Sequence, residues 1–221
     1  MILFLDGECV SADNETIFLE QIKKYVGKEE IISVKIGMLG FNMEHSTIAN
    51  CTTYAEWKDV CRYLEDASAI VLAANVQLDS VSAEVLAFLE QVEAAVINGE
   101  SIGGKFYAIL YTELYEAEQT SIAMGVLKNF CIRANITWGR GLGIGGNGIK
   151  ESMTDKGILR VFKKKTADFR LRPLQEQALF IKEKMQGGDA YVKPEMFSRG
   201  TYMRKINHAV KKSNRVKIAQ S

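Results

Sequence analysis

The sequence predicts one α/β domain in which a five-stranded parallel sheet is covered by helices on both faces. Two observations lead to this fold class. Short apolar runs alternate five times with amphipathic segments, and the connections have ordinary lengths, which favours right-handed crossovers and a single parallel sheet. The run SAIVLAANV, from residue 68, is apolar almost throughout, as expected of a strand that is covered on both faces.

The individual elements follow from where each periodic pattern begins and stops. The predicted strands are ILFL from residue 2, IISVKIG from 31, SAIVLAANV from 68, KFYAILYT from 105 and ITWGRGLGIG from 136. The predicted helices cover residues 13–27, 53–64, 80–97, 118–135 and 175–186. Apolar residues recur there at helical spacing, and Gly27, Gly99 and Gly187 mark three of the helix ends.

The last residues form a basic extension. Residues 1–188 are predicted to be the sheet domain, and residues 189–221 an extension that begins a further helix near Pro194. After Glu195 the extension has seven Lys or Arg residues and no acid. Its partial apolar stripe consists of Phe197, Met203, Ile206 and Val210. We expect this helix to dock between subunits, which predicts a homodimer or a higher homo-oligomer. Contact with a membrane surface or a nucleic acid is the alternative.

Composition restricts the classes of function. The net charge is +1, so the chain as a whole is not of the nucleic-acid-binding kind. No apolar run approaches the roughly 20 residues that cross a bilayer, and no basic leader is present, which predicts a cytoplasmic protein without membrane insertion. Cysteines at positions 9, 51, 61 and 131 and histidines at 45 and 208 lie too far apart for a metal cluster, so we expect no metal and free thiols.

Ligands of such sheets bind beyond the carboxyl ends of the strands. Three predicted loops lie there: residues 6–16, 75–80 and 112–118. The first loop precedes a helix whose free N–H groups would hold a phosphate. Four acids lie within it, namely Asp6, Glu8, Asp13 and Glu15. These would repel an anion unless Lys105 or the tail of a neighbouring subunit compensates.

The glycine-rich stretch 139–148 contains GLGIGG, which has the spelling of a dinucleotide-binding motif. No helix is predicted directly after it, although that helix is what gives the motif its physical meaning. We therefore expect a tight loop at the end of the fifth strand, with ligand contact as the alternative.

Several stretches resemble flavodoxin-like NAD(P)H-dependent FMN reductases. They are AIVLAANVQLDSVSAEVLAFLEQV from residue 69, KFYAILYT from 105 and ITWGRGLGIGGNG from 136. The pair RPLQEQALFIKEKMQGG and MFSRGTYMRKINHAVKK is similar to the last helix and carboxyl extension of the iron–sulfur-flavoprotein branch, whose cysteine cluster this chain lacks. The resemblance implies a flavodoxin-like three-layer sandwich, FMN as cofactor, NAD(P)H as co-substrate and a small-molecule electron acceptor.

The resemblance also implies positions for the cofactor. Ser11, Asn14 and Thr16 would contact the FMN phosphate. The flavin ring would lie between two loops, one made of Asn75, Val76, Gln77 and Leu78 and the other of Thr112, Glu113, Leu114 and Tyr115. Tyr115 or Tyr111 would stack on the ring, whereas the alternative places Tyr111 in the sheet edge and Tyr115 on the surface. No catalytic acid or base is nominated, because the flavin supplies the redox chemistry.

Two functions remain open at this point. The first is an FMN-dependent NAD(P)H oxidoreductase. The second is a flavodoxin-like protein that has lost FMN and acts as a binding or structural partner, which the acidic first loop favours.

Overall fold

The structure is a computed structural model that describes residues 1–7, 17–27, 29–38, 41–42, 47–48, 57–146, 172–194, 198–204 and 207–208. In chain order the strands and helices are β1 (Ile2–Asp6), α1 (Ile17–Val26), β2 (Ile31–Lys35), β3 (Phe41–Asn42), β4 (Thr47–Ile48), α2 (Trp57–Asp66), β5 (Ala69–Asn75), α3 (Ala83–Ile97), β6 (Lys105–Tyr111), α4 (Ser121–Arg133), β7 (Thr137–Ile144), α5 (residues 172–182), β8 (Ala190–Val192) and α6 (residues 199–204). Short 3-10 turns cover Ile36–Met38 and Ala117–Thr120.

A six-stranded sheet forms the middle layer of the domain. Its strand order is β2-β1-β5-β6-β7-β8, and all neighbouring strands are parallel. The order changes direction at β1, which lies between β2 and β5. The connections that leave β1 and β5 therefore diverge, and the crevice between them is where sheets of this kind bind ligands. The short strands β3 and β4 form a separate antiparallel pair.

The two faces of the sheet carry separate apolar layers, because successive strand residues point to opposite sides. In β1, Leu3 and Leu5 pack in the layer of α2, α3 and α4, whereas Ile2 and Phe4 pack in the layer of α1 and α5. All four side chains are fully buried. The prediction of a parallel sheet with helices on both faces is confirmed.

The number of strands differs from the prediction, because β8 adds a sixth strand to the five expected. It pairs parallel with β7, and Gly143 lies opposite Tyr191. A three-residue strand is too short for periodicity to reveal, and it follows a Gly-Gly pair that indicates the end of the unit in the sequence. The strand begins directly after Asp189, whose carboxylate accepts hydrogen bonds from the indole of Trp138 and the backbone N–H of Gly141, at 3.1 and 3.0 Å. The predicted domain boundary at residue 188 stays a prediction.

The predicted strands agree with the structure, but the helix bounds shift. α3 begins at Ala83 rather than at residue 80, because the Ser82 hydroxyl accepts the Val85 N–H as a cap. A 3-10 turn precedes α4, and α5 ends at residue 182, before the predicted 186. α3 has 15 residues, and no helix in the described ranges is long and apolar enough to cross a membrane.

The glycine-rich stretch lies within β7 as far as Ile144 and is not a loop there. Its alternate residues Gly141, Gly143 and Gly145 face the layer of α4 and the turn before it. A Cβ on Gly143 would overlap the Thr120 hydroxyl, and one on Gly141 would overlap the Met124 sulfur. The glycines therefore let the helical layer approach β7 closely, and the spelling of a dinucleotide motif has a packing cause in this part of the chain. Residues 147–148 lie outside the described residues.

Two weakly acidic side chains in the core, a thiol and a phenol, predict that the protein loses stability at alkaline pH. Desolvation raises the pKa of the Cys131 thiol and that of the Tyr107 hydroxyl to about 12 each, against ordinary values of about 8.5 and about 10. Each of the two groups has a higher pKa in the folded protein than in the unfolded one. Their stabilisation of the folded state is therefore fully present below about pH 8.5 and is lost as the pH rises to about 12.

We expect the midpoint of urea unfolding to fall progressively from pH 9 to pH 11, and the fall to be smaller in Cys131→Ala. Because the substitution shortens a buried side chain, each variant is compared with its own midpoint at pH 7. An equal fall in both proteins would show that Cys131 does not titrate upon unfolding in this range.

Candidate functional site

Three loops leave neighbouring strands at the carboxyl edge of the sheet, as the sequence predicts. They follow β1, β5 and β6, which are adjacent in the sheet. Asn75 at the end of β5 lies opposite Tyr111 at the end of β6. Because all these strands are parallel, the three loops start at the same edge of the sheet.

The first loop begins at Gly7, which is closely packed. The Gly7 N–H donates to the Ala73 carbonyl at 2.8 Å, and a Cβ on Gly7 would lie 2.8 Å from Val85 Cγ2. A side chain at residue 7 would therefore collide with Val85 at the start of α3. Asp6 beside it is buried. The expected phosphate contacts, Ser11, Asn14 and Thr16, lie outside the described residues, as do the acids at 8, 13 and 15.

The second loop presents an apolar side chain on a tight turn. Gln77 and Ser80 exchange backbone hydrogen bonds of 2.9 and 3.1 Å. Between them Leu78 and Asp79 have φ values of 49° and 65°, which side chains other than Gly, Asn and Asp rarely adopt. The Leu78 side chain is 101% exposed. Val76, by contrast, packs in the core and its N–H donates to the Tyr111 carbonyl.

Asn75 carries a buried polar atom without a protein partner. Its Oδ1 is buried and has no hydrogen-bond partner among the described residues. Strand alternation places its side chain on the α1 face, as for Ala73. Leaving an amide oxygen unsatisfied costs about 1–3 kcal/mol, so a donor that reached this covered oxygen, at the point where the sheet order changes direction, would be stabilising.

The third loop is held by its own backbone. The Thr112 N–H donates to the Ile144 carbonyl, and the Leu114 N–H donates to the Thr112 hydroxyl at 3.2 Å. The Gly146 N–H donates to the Leu114 carbonyl at 2.6 Å. These contacts bury Thr112 and leave the Leu114 side chain 50% exposed, next to the exposed Glu113.

The two tyrosines of this region differ in access. Tyr111 is buried in β6, and its ring centroid lies 4.9 Å from that of Phe18, so it lies in the sheet as the alternative stated. Tyr115 is half-buried and lies 5.5 Å from the ring of Tyr202 in α6. Of the two expected stacking residues, the structure therefore leaves Tyr115 at the edge of the site.

Lys105 cannot supply the compensating cation. It begins β6, at the opposite edge of the sheet from the ligand loops, and its ammonium donates to the Lys184 carbonyl at 2.5 Å. Lys105 is the first residue of its strand and so lies at the amino end, away from the carboxyl ends where the ligand loops start, and the expectation that it compensates the acids was wrong for that reason.

Tyr202 was missed by sequence reasoning. The predicted apolar stripe contains Met203, which is 39% exposed, whereas Tyr202 is 1% exposed. A tyrosine beside a basic run has no periodic pattern that marks it as buried, because its partners belong to a loop about 90 residues earlier.

Within the described ranges, no three His, Cys, Asp or Glu side chains lie close enough together to bind a metal ion.

Solved structures with the same fold include several flavin enzymes. The chain is similar to an NADH:FMN oxidoreductase in its apo form, with a TM-score of 0.53, 9% identity and coverage of 84% of this chain and 90% of the other. An FMN-dependent NADH-azoreductase from Bacillus anthracis str. Ames Ancestor, in complex with FMN, has a TM-score of 0.53 at 11% identity, covering 82% and 99%. An NADPH-quinone reductase from P. pentosaceus has a TM-score of 0.50 at 12% identity, covering 81% and 95%.

The sequence itself matches no protein-family model and no curated protein. At identities this low, the structural likeness carries the fold and not the activity. Two of the three similar structures are described as an NADH:FMN oxidoreductase and an FMN-dependent NADH-azoreductase. The chain therefore has the flavodoxin-like fold, with one strand more than the five that the sequence predicts.

Proposed function

We propose that this protein is a cytoplasmic FMN-dependent NAD(P)H oxidoreductase that passes electrons to a small-molecule acceptor. The observation that carries the proposal is the Asn75 oxygen, a buried acceptor without a partner among the described residues, at the strand end where the sheet order reverses. The imide N–H of a flavin ring is a donor of the kind that would satisfy it. Leu78 and Leu114 present exposed apolar side chains on the two following loops, which suits a flat, largely apolar ring.

The residues of the chain would bind and orient the cofactor, which when bound supplies the redox chemistry. Asn75 would accept a hydrogen bond from the ring, Leu78 would cover it, and Leu114 or Tyr115 would exclude water from its other side. Ser11, Asn14 and Thr16 remain the proposed phosphate contacts. The proposal assigns no acid or base among the described residues, because the bound cofactor would supply the redox chemistry.

Copurification of FMN and a fluorescence titration of the stripped protein test this function. We expect the purified protein to be yellow, to bind FMN at about one per chain, and to oxidise NADH or NADPH when a quinone is added. A colourless protein that leaves flavin fluorescence unchanged would instead support the second function, a flavodoxin-like binding partner without cofactor.

Replacing Asn75 with Ala separates a ligand contact from a structural one. Since the Asn75 oxygen is buried without a partner among the described residues, its removal is expected to raise the free energy of unfolding of the FMN-free protein by about 1 kcal/mol, while the Kd for FMN rises about tenfold. Gln77→Ala, an exposed amide in the next turn, is the matched control and leaves both quantities unchanged. Equal FMN affinity in Asn75→Ala and wild type would rule this oxygen out as a flavin contact.

Leu78→Asn is expected to stabilise the protein and weaken FMN binding. Asn tolerates the left-handed backbone that strains Leu, so the free energy of unfolding rises by about 1 kcal/mol. The lost apolar contact raises the Kd for FMN about tenfold. Leu179→Asn, which removes a half-exposed leucine from α5, is the control for apolar loss alone. Retained affinity in Leu78→Asn would mean that this turn does not contact the flavin.

A further inference from the structure

The chain returns to the candidate site after β8. Because β8 is parallel to β7, it ends at the same edge of the sheet, where the Gly145 N–H donates to the Val192 carbonyl at 2.8 Å. Pro194 then packs on Gly146, so closely that a Cβ there would lie 2.6 Å from Pro194 Cγ. We refer to Pro194 and residues 198–204 together as the strap.

The strap contains the first residues of α6, and its buried contact with the domain is made by Tyr202. The Ser198 hydroxyl accepts the Thr201 N–H at 3.3 Å and so caps the helix. Arg199, Gly200 and Met203 are exposed, whereas Tyr202 is 1% exposed. A single buried aromatic residue in an otherwise exposed turn indicates an anchor rather than a continuous apolar face.

The anchor contacts the third loop of the candidate site. The Tyr202 hydroxyl donates to the Glu113 carbonyl, and its ring lies 5.5 Å from that of Tyr115. Arg199 and Glu116 add an ion pair of 2.5 Å, but both side chains are solvated, and such pairs contribute little to stability. The buried hydroxyl and ring are therefore the main contacts between strap and loop.

Two carbonyls of the loop are held from two sides. Gly146, two residues after the end of β7, donates to the Leu114 carbonyl, and Tyr202 donates to the Glu113 carbonyl from the strap. With both fixed, the Leu114 side chain is held outward at the edge of the site. We infer that Tyr202 is a positioning residue, through which the strap fixes the loop 112–116 in the conformation that contacts the flavin.

This inference rests on the proposed function, and a test needs readouts with and without FMN. We would compare wild type with Tyr202→Phe, Tyr202→Ala and Met203→Ala, the last being an exposed neighbour in the same helix. Ile181→Val, a fully buried position in α5, is the control for lowered stability away from the loop. The measurements are hydrogen exchange of the stripped proteins over residues 112–116 and at Gly146, thermal unfolding, and titration with FMN.

We expect Tyr202→Phe to exchange about fivefold faster at the Leu114 and Gly146 amides, and Tyr202→Ala at least about tenfold faster. The Kd for FMN rises in the same order, and the visible absorption band of the bound flavin changes shape. Met203→Ala and Ile181→Val keep the wild-type exchange of the loop and the wild-type Kd.

The outcomes separate the two proposals. If wild type binds FMN and both Tyr202 variants bind it equally well, the positioning role is wrong and the proposed function stands. If wild type binds no FMN, both are overturned. If Ile181→Val weakens FMN binding as much as Tyr202→Ala does at equal thermal stability, the effect is general destabilisation and the inference is overturned.

Discussion

Replacing Gly145 with Ala is expected to lower the free energy of unfolding by about 3 kcal/mol and to weaken FMN binding at least about tenfold. A Cβ at this position would overlap the carbonyl oxygen of Tyr115 and lie 2.8 Å from the Ala117 nitrogen. Both are backbone atoms, so the overlap cannot be relieved by a change of side-chain rotamer. Either β7 or the loop that carries Leu114 must move.

Urea unfolding and flavin titration measure the two effects in the same preparations. Gly188→Ala is the matched control, because a Cβ on Gly188 meets no atom within 4 Å and its φ is not in the left-handed region. We expect that control to behave as wild type. Wild-type stability in Gly145→Ala would mean that the third loop moves without an energetic penalty. That result would contradict the conclusion that this loop is rigid.

The second large effect is expected at Asp189, which attaches β8 to the sheet. Its side chain is 8% exposed, its Oδ1 accepts from Trp138 and Gly141, and its Oδ2 lies 2.5 Å from the Lys128 ammonium. Asp189→Ala leaves two N–H donors without their acceptor and is expected to cost about 3 kcal/mol. Asp189→Asn can keep both hydrogen bonds while losing the ion pair, and because Lys128 is partly solvated, the expected loss is about 1 kcal/mol.

Urea unfolding ranks these variants, and hydrogen exchange locates the change. We expect the Gly145 amide, which donates to Val192 in β8, to exchange faster in Asp189→Ala than in Asp189→Asn. Asp66→Ala, at an exposed carboxylate, should change stability by no more than about 0.5 kcal/mol. Equal losses in the Ala and Asn variants would assign the effect to charge instead of hydrogen bonds.

The candidate site could be predicted from the sequence only in part. Asn75 and Leu114 were nominated because they follow apolar strands, and the structure places both at the carboxyl edge. The sequence could not show that the Asn75 oxygen lacks a partner among the described residues or that Leu78 has a positive φ. Hydrogen-bond satisfaction and turn geometry depend on atoms from several elements, and no pattern along one segment encodes them.

The glycine-rich stretch likewise separates what the sequence can predict from what only packing decides. The stretch has the spelling of a nucleotide-binding motif. Each glycine of β7, however, packs against an atom that leaves no room for a Cβ, as Thr120 does at Gly143. The reason for a glycine is steric and lies in whatever packs on it. Sequence therefore identifies where glycines are concentrated, and only the packed structure distinguishes a ligand loop from a close approach of two layers.

The sequence by itself determined the α/β class, the main strands and the two-sided burial of the sheet. Those properties follow from local periodicity and apolar content, which operate within single elements. Only the tertiary structure decided the strand order, the sixth strand beside β7 and the docking of Tyr202 on the loop after β6. Each of these depends on contacts between residues far apart in the chain, where one hydrogen bond or one buried ring selects among placements that the local pattern leaves equivalent.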